Sequence, residues 1–222
     1  MKILLSGRTK EFFHRPQRYG VMLSYRKTGG ESKALALGAW WMLDNGKFSG
    51  RFQLENWLRR MDEVKQYRET CKGVILPDYV LFENGRFAGG DWKKTLEMAY
   101  QYAPLVRERD LCVAYALQND HPIEEVPWEL FDTLFIGCAD YFKFSDEVTR
   151  IGLKARELGK WVHHGRVISR SKIVRTWYAN SFDSTGYIWN EDDKRRLAQE
   201  GIAIAERKQR LFDRLKNNKR GN

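Results

Sequence analysis

Apolar residues come in short runs, each closed by a glycine or a polar cluster: KILLSG, GVMLSY, AWWMLDNG, GVILPD, LCVAYALQND, TLFIGC, KWVHHGRV and NSFDSTG. Runs of this length without polar alternation read as strands buried on both faces of a parallel sheet. Between several of them the period becomes helical. FQLENWLRRMDEVKQYRE sets Leu54, Trp57, Leu58 and Met61 on one face. DWKKTLEMAYQYAPLV and SDEVTRIGLKARELG behave likewise, the second with Ser145 as its predicted N-cap and Gly159 at its C-terminal end. Strands alternating with helices predict an α/β fold. About eight strands predict a compact (β/α)8 TIM-like barrel, although the first connections are too short for full helices. An open doubly wound sheet is the alternative, but its GxGxxG fingerprint after a first strand is absent.

The end of the chain changes character. NEDDKRRLAQEGIAIAERKQRLFDRLKNNKRGN predicts one long helix with an acidic start and a basic end, a polarity that suits the helix dipole. The division expected is a barrel domain over 1–190 and a basic C-terminal helix over 191–222, packed on the barrel or extending from it. Leu197, Ile204 and Leu211 share a stripe, with Ile202 and Leu215 nearby, and that stripe is expected to meet the barrel. Arg207, Lys208, Arg210 and Arg214 offer a phosphate-binding face.

Charge adds a partner class. The chain carries a net charge of +10, which points to an anionic partner, nucleic acid first. No apolar run approaches the roughly 20 residues of a spanning helix, so no membrane is expected. MKILLSG is too short for a signal peptide, and the expected location is cytoplasmic, in the host cytoplasm if the chain is phage-encoded. Cys71, Cys112 and Cys138 are far apart in sequence and form no CxxC pair. They predict neither a zinc ribbon nor a disulfide framework, and Cys112 and Cys138 read as small core residues.

In a parallel barrel, chemistry sits at the carboxyl ends of the strands. The predicted strands deliver Asp44, Asp78, Gln118 with Asn119 and Asp120, Gly137, His163 with His164 and Arg166, and Asp183 to that mouth. One histidine of the pair is expected inside the barrel and the other in the helix layer. Taken singly, Asp44 in DNG and Asp78 after Pro77 are turn residues. Together, the three acids suit acid/base and nucleophilic work, or a hard cation such as Mg²⁺.

In order, LDNGKFS, LPDYV, ALQND, WELFDTLFIGC, GKWVHHGRVISRSKI and NSFDSTG resemble the tRNA-guanine transglycosylase superfamily, over roughly two thirds of the chain. They look closest to its compact phage and bacterial relatives that place 7-deazaguanines in DNA. The resemblance implies a base exchange by double displacement, with Asp183 as the nucleophile and Asp44 in proton transfer. It implies Asp78, Gln118 and Gly137 at the base edge, DNA as the partner with RNA as the alternative, and a free 7-deazaguanine as co-substrate. Tyr79, Phe48 and Tyr141 are candidates to stack the base. His163, Arg166, Arg170, Lys172 and Arg175 join the C-terminal cations as candidate nucleic-acid contacts. The family's tRNA enzymes carry a Cys-rich zinc site after the barrel, and this chain has no such ligands, so no metal and no cofactor are expected. The other readings are exchange on tRNA, a base-excising N-glycosidase, a non-catalytic nucleic-acid-binding barrel and a Mg²⁺-dependent nuclease.

Overall fold

A computed structural model describes residues 1–6, 19–24, 30–84, 86–167, 169–183 and 192–220. All eight apolar runs form parallel strands of one closed barrel. They are β1 (Lys2–Ser6), β2 (Tyr19–Leu23), β3 (Trp41–Leu43), β4 (Cys71–Ile75), β7 (Val113–Leu117), β8 (Thr133–Ile136), β9 (Trp161–His164) and β10 (Ser181–Asp183). The barrel order is β1-β10-β9-β8-β7-β4-β3-β2, and Leu4 pairing with Asp183 closes the circle. Side chains alternate between two cores. Leu4, Met22, Trp40, Met42, Ile75, Ala114 and Ala116 fill the interior, with Phe135 and Trp161 against them. Their neighbours in sequence, such as Val21, Trp41, Val74, Tyr115 and Leu134, pack outward beneath the helices.

The helices are α1 (Glu31–Ala36), α2 (Leu54–Val64), α3 (Trp92–Arg107), α4 (Asp140–Lys143), α5 (Asp146–Glu157), α6 (Arg170–Arg175) and α7 (Asp192–Arg220). Ser145 caps α5 by accepting from the Val148 amide, and Gly159 takes a φ of 76° just beyond its end. The early connections are short as expected: α1 has only six residues. Arg60 of α2 is buried and pairs with buried Glu31 of α1 at 2.5 Å, locking these two helices together. No described helix is long and apolar enough to cross a membrane.

One expectation needs correction, and two features go beyond the sequence reading. The segment between Asp78 and Trp92 holds an antiparallel hairpin, β5 (Val80–Glu83) and β6 (Arg86–Gly90), inserted between β4 and α3. Next, α7 meets the barrel through small residues, not through the Leu197–Leu211 stripe. Ala198, Gly201 and Ala205 are buried against α6, whereas Leu197 is 40% and Leu211 59% exposed. The small face lets the helix backbones approach: a Cβ on Gly201 would lie 3.2 Å from the Arg170 carbonyl oxygen. Ile202 does pack on the core; the side chain of Leu215 and the boundary at 190–191 lie outside the described residues. Finally, Cys71 on β4 and Cys112 just before β7 are distant in sequence but free thiols on neighbouring chain segments, and Cys71 pulls the half-buried Cys112 thiol down to about 7.

Candidate active site

A cavity of about 300 Å³ opens at the carboxyl ends of the strands. Asp44, Asp78, Gly137, Arg166 and Asp183 line it, as do Asn45, Phe48, Val80, Phe87 and Phe135. The three carboxylates thus come from the carboxyl ends of β3, β4 and β10: Asp44 follows β3 directly, Asp78 lies three residues beyond β4, and Asp183 ends β10.

Each acid is held differently. Asp183 accepts from the Arg166 backbone amide through Oδ1, and its Oδ2 lies 3.8 Å from His163 Nε2. Burial pushes its pKa up, but the His163 ring, the Arg166 amide and the Lys143 ammonium outweigh burial and hold Asp183 below its ordinary value. Asp44 follows the opposite course. Burial raises it from 3.8 to about 6, the Gly46 amide offsets part, and the charges of Asp183 and Asp78 push the same way as burial. Asp78 is raised by burial too, against the amides that bind it. Asn45 Nδ2 donates to Asp78 Oδ1 at 2.9 Å and Gln118 Nε2 to Oδ2 at 2.6 Å.

Gln118 therefore stands behind Asp78, outside the cavity lining, and its Oε1 is buried without a partner among the described residues. Asn119, next along, is a clamp: its Nδ2 donates to Ala88 O of β6 at 3.0 Å, and its Oδ1 accepts from the Ala139 amide. Only glycine fits opposite these amides. A Cβ on Gly89, at φ 118°, would fall 1.8 Å from Asn119 Nδ2, and one on Gly90 2.3 Å from Gln118 Oε1. Gly89→Ala is expected to destabilise the fold by about 1–3 kcal/mol and to free the hairpin. Urea unfolding and proteolytic cleavage within 80–90 would register both effects.

The two histidines divide as the alternation predicts. His163 is fully buried inside the barrel, stacked on Phe135 at 5.4 Å and bonded through Nδ1 to Ser181 Oγ. His164 faces the helix layer and pairs with Tyr178 OH at 2.9 Å; burial drives its pKa well below 6.5. His163 therefore cannot reach a surface phosphate. Arg166 is likewise drawn inward. At φ 59° its guanidinium donates to the Gly137 and Cys138 carbonyls and lies over the rings of Phe48 and Phe87, at 4.6 and 4.2 Å.

The remaining candidates separate by location. Arg170 pairs with Glu200, Lys172 with Asp140, and Arg175 donates to Phe144 O. Arg207, Lys208, Arg210 and Arg214 are exposed on α7 beyond Glu206, whose carboxylate binds the Met1 amine where β1 starts. They occupy the end of the barrel opposite Asp183 and form no part of the mouth. Tyr79 lies beneath Lys94 at 4.3 Å, outside the cavity lining; Tyr141 is exposed and bonds Asp120. Lys143, absent from the expected set, is fully buried and donates to Gly165 O at 2.8 Å; burial lowers it to about 8. Among the described residues no three His, Cys, Asp or Glu side chains form a metal-ligand group.

No protein-family model and no curated protein matches the chain. Solved structures do. One, a cube-shaped, highly porous protein cage designed by fusing symmetric oligomeric domains, aligns over 99% of this chain and 76% of its own, with a TM-score of 0.53 and 10% identity. Another, a 4-hydroxy-2-oxoglutarate aldolase/2-deydro-3-deoxyphosphogluconate aldolase from TTHB1, aligns over 92% and 93%, with a TM-score of 0.51 and 10% identity. At that identity the likeness is one of fold alone, and the fold it supports is the α/β TIM-like barrel.

Proposed function

We propose that the chain is a base-exchange transglycosylase that replaces guanine in DNA with a 7-deazaguanine. The observation that carries the reading is the division of the mouth carboxylates: Asp183 is held ionised while Asp44, in the same cavity, is raised to about 6. Two acids whose surroundings drive their pKa values apart suit two roles, an anionic nucleophile and a proton carrier.

The step balances with these groups. An Asp183 carboxylate oxygen attacks C1′, the C1′–N9 bond breaks, and Asp44 gives its proton to the departing guanine. The sugar is left as an aspartyl ester. An incoming 7-deazaguanine gives its N9 proton to the Asp44 carboxylate and attacks C1′, and the ester bond breaks to regenerate Asp183. Asp78 suits the base edge, since a carboxylate accepts from both the N1–H and the amino group of guanine. Its oxygens already accept one amide each and keep lone pairs for this. Gln118 then serves the base indirectly, by fixing Asp78.

The test is release of labelled guanine from duplex DNA and from tRNA, each with and without added 7-deazaguanine. Base-dependent exchange on DNA is the expected result. Preference for tRNA would move the reading to RNA, and an abasic product without added base would make the chain an N-glycosidase. No release from either polymer would overturn it.

Phosphate contacts follow the geometry of the mouth. Lys47 and Arg51 precede α2, Lys94 lies in the first turn of α3, and Arg170 opens α6, all at the carboxyl end of the barrel. The double variant Arg51→Ala, Lys94→Ala is expected to weaken DNA binding and to reduce the slope of log K against log salt by about 2. The pair Arg210→Ala, Arg214→Ala is expected to leave both unchanged. Salt titrations of fluorescence anisotropy with a labelled duplex measure this.

A further inference from the structure

The β5–β6 hairpin leaves the strand ends immediately after Asp78 and stands beside the cavity. Its Val80 and Phe87 line the cavity wall. Phe82 pairs across the ribbon with Phe87, and Phe48, Phe82 and Phe87 touch one another with ring centroids 5.1–6.1 Å apart. Yet Phe82 is 49% exposed, Phe48 45% and Leu81 41%. Phe48 and Phe82 thus remain in water at the lip of a carboxylate-lined cavity, and Leu81 is exposed on the other face of a ribbon fixed at its base by Asn119. Isolated exposed apolar residues need no explanation, but a contiguous aromatic lip marks an interaction surface.

Charge selects the occupant. The cavity beneath carries Asp44, Asp78 and Asp183 and would repel a phosphate, whereas Lys47, Arg51 and Lys94 stand outside the lip. Aromatic faces between an anionic cavity and flanking cations match a nucleic acid whose base turns inward and whose backbone stays outside. Removing a base from a duplex leaves a gap in the stack, and apolar side chains on a ribbon can fill such a gap.

We propose that the β5–β6 hairpin is a wedge for duplex DNA, with Phe82 and Leu81 entering the stack and occupying the space left by the base that moves into the cavity. It rests on the base-exchange reading for the fate of that base, but opening of the duplex is measurable without any chemistry.

The experiment uses the full chain and a duplex bearing 2-aminopurine beside its guanines, at saturating protein. Binding of the parent is expected to raise 2-aminopurine fluorescence. Leu81→Ser, Phe82→Ser should reduce that rise at least about fivefold, while Phe82→Trp keeps it. Exchange on the duplex should fall about tenfold in the double variant and stay within about twofold on the single strand of the same sequence. Both positions are exposed, so thermal melting of the variants should match the parent. The wedge is overturned if the parent fails to raise the fluorescence, if the serine variant opens the duplex as the parent does, or if exchange falls equally on both substrates. Opening by the parent, lost in the serine variant, with no exchange on any substrate would retain the wedge and remove the base-exchange reading instead.

Discussion

Asp183→Asn is expected to reduce guanine exchange by about four orders of magnitude or more, leaving the fold and the affinity for DNA within about twofold of the parent. The amide keeps the shape and can still accept from the Arg166 amide, so the loop after β9 holds its place. What disappears is the anion that would attack C1′. Single-turnover release of labelled guanine measures the loss. A merely structural Asp183 gives the opposite pattern, with a lowered melting temperature and a rate near the parental one. Lys143 and His163 sharpen the contrast, because both favour charge on Asp183 and neither lines the cavity.

Asp44→Asn is expected to slow both half-reactions by about 10²–10⁴-fold, the usual contribution of a positioned proton donor. The parent's guanine release should fall as pH rises through about 6, where Asp44 loses the proton it would deliver. That limb should be missing in the variant. Stability moves with pH in the same direction. A folded pKa raised from 3.8 to about 6 means that stability is fully present below the unfolded value and declines as pH rises through the folded one. At pH 8 the ionised Asp44 costs the fold on the order of 2–3 kcal/mol, and the neutral amide removes that cost. The variant should therefore resist urea better than the parent at pH 8, with no advantage near pH 3. A parental pH profile in Asp44→Asn would move proton transfer to another group.

The barrel was legible because its strands are buried on both faces. Each writes an unbroken apolar run, and each run ends where a polar residue meets the mouth, which is why Asp44, Asp78 and Asp183 could be read together. The hairpin obeys a different rule. The strand residues of VLFENGRFAGG lack a long unbroken apolar run, and the segment's signal is the Asn-Gly pair, with Asn84 at φ 49°. The buried face of α7 misled for a packing reason. Large residues mark the stripe that is most apolar, but close approach to α6 needed Ala198, Gly201 and Ala205. Arg166 and the cations of α7 misled because charge in a sequence carries no direction. One guanidinium folds inward onto two carbonyls and two rings, and the four α7 cations lie at the far end of the barrel. Asn45 carries no signal of its own within LDNGKFS, yet its side chain is the strut that joins Leu76 O, Asp78 and the Lys47 amide.

The central claim, that Asp183 carries the sugar between two bases, is tested most directly by peptide mass spectrometry of the protein quenched with denaturant during incubation with a guanine-containing duplex and no added base. The account predicts a deoxyribose-linked oligonucleotide, lacking one guanine, on the peptide that contains Asp183, and its disappearance when a 7-deazaguanine is added before the quench. Guanine released with no adduct on that peptide, or an adduct on Asp44, would contradict it.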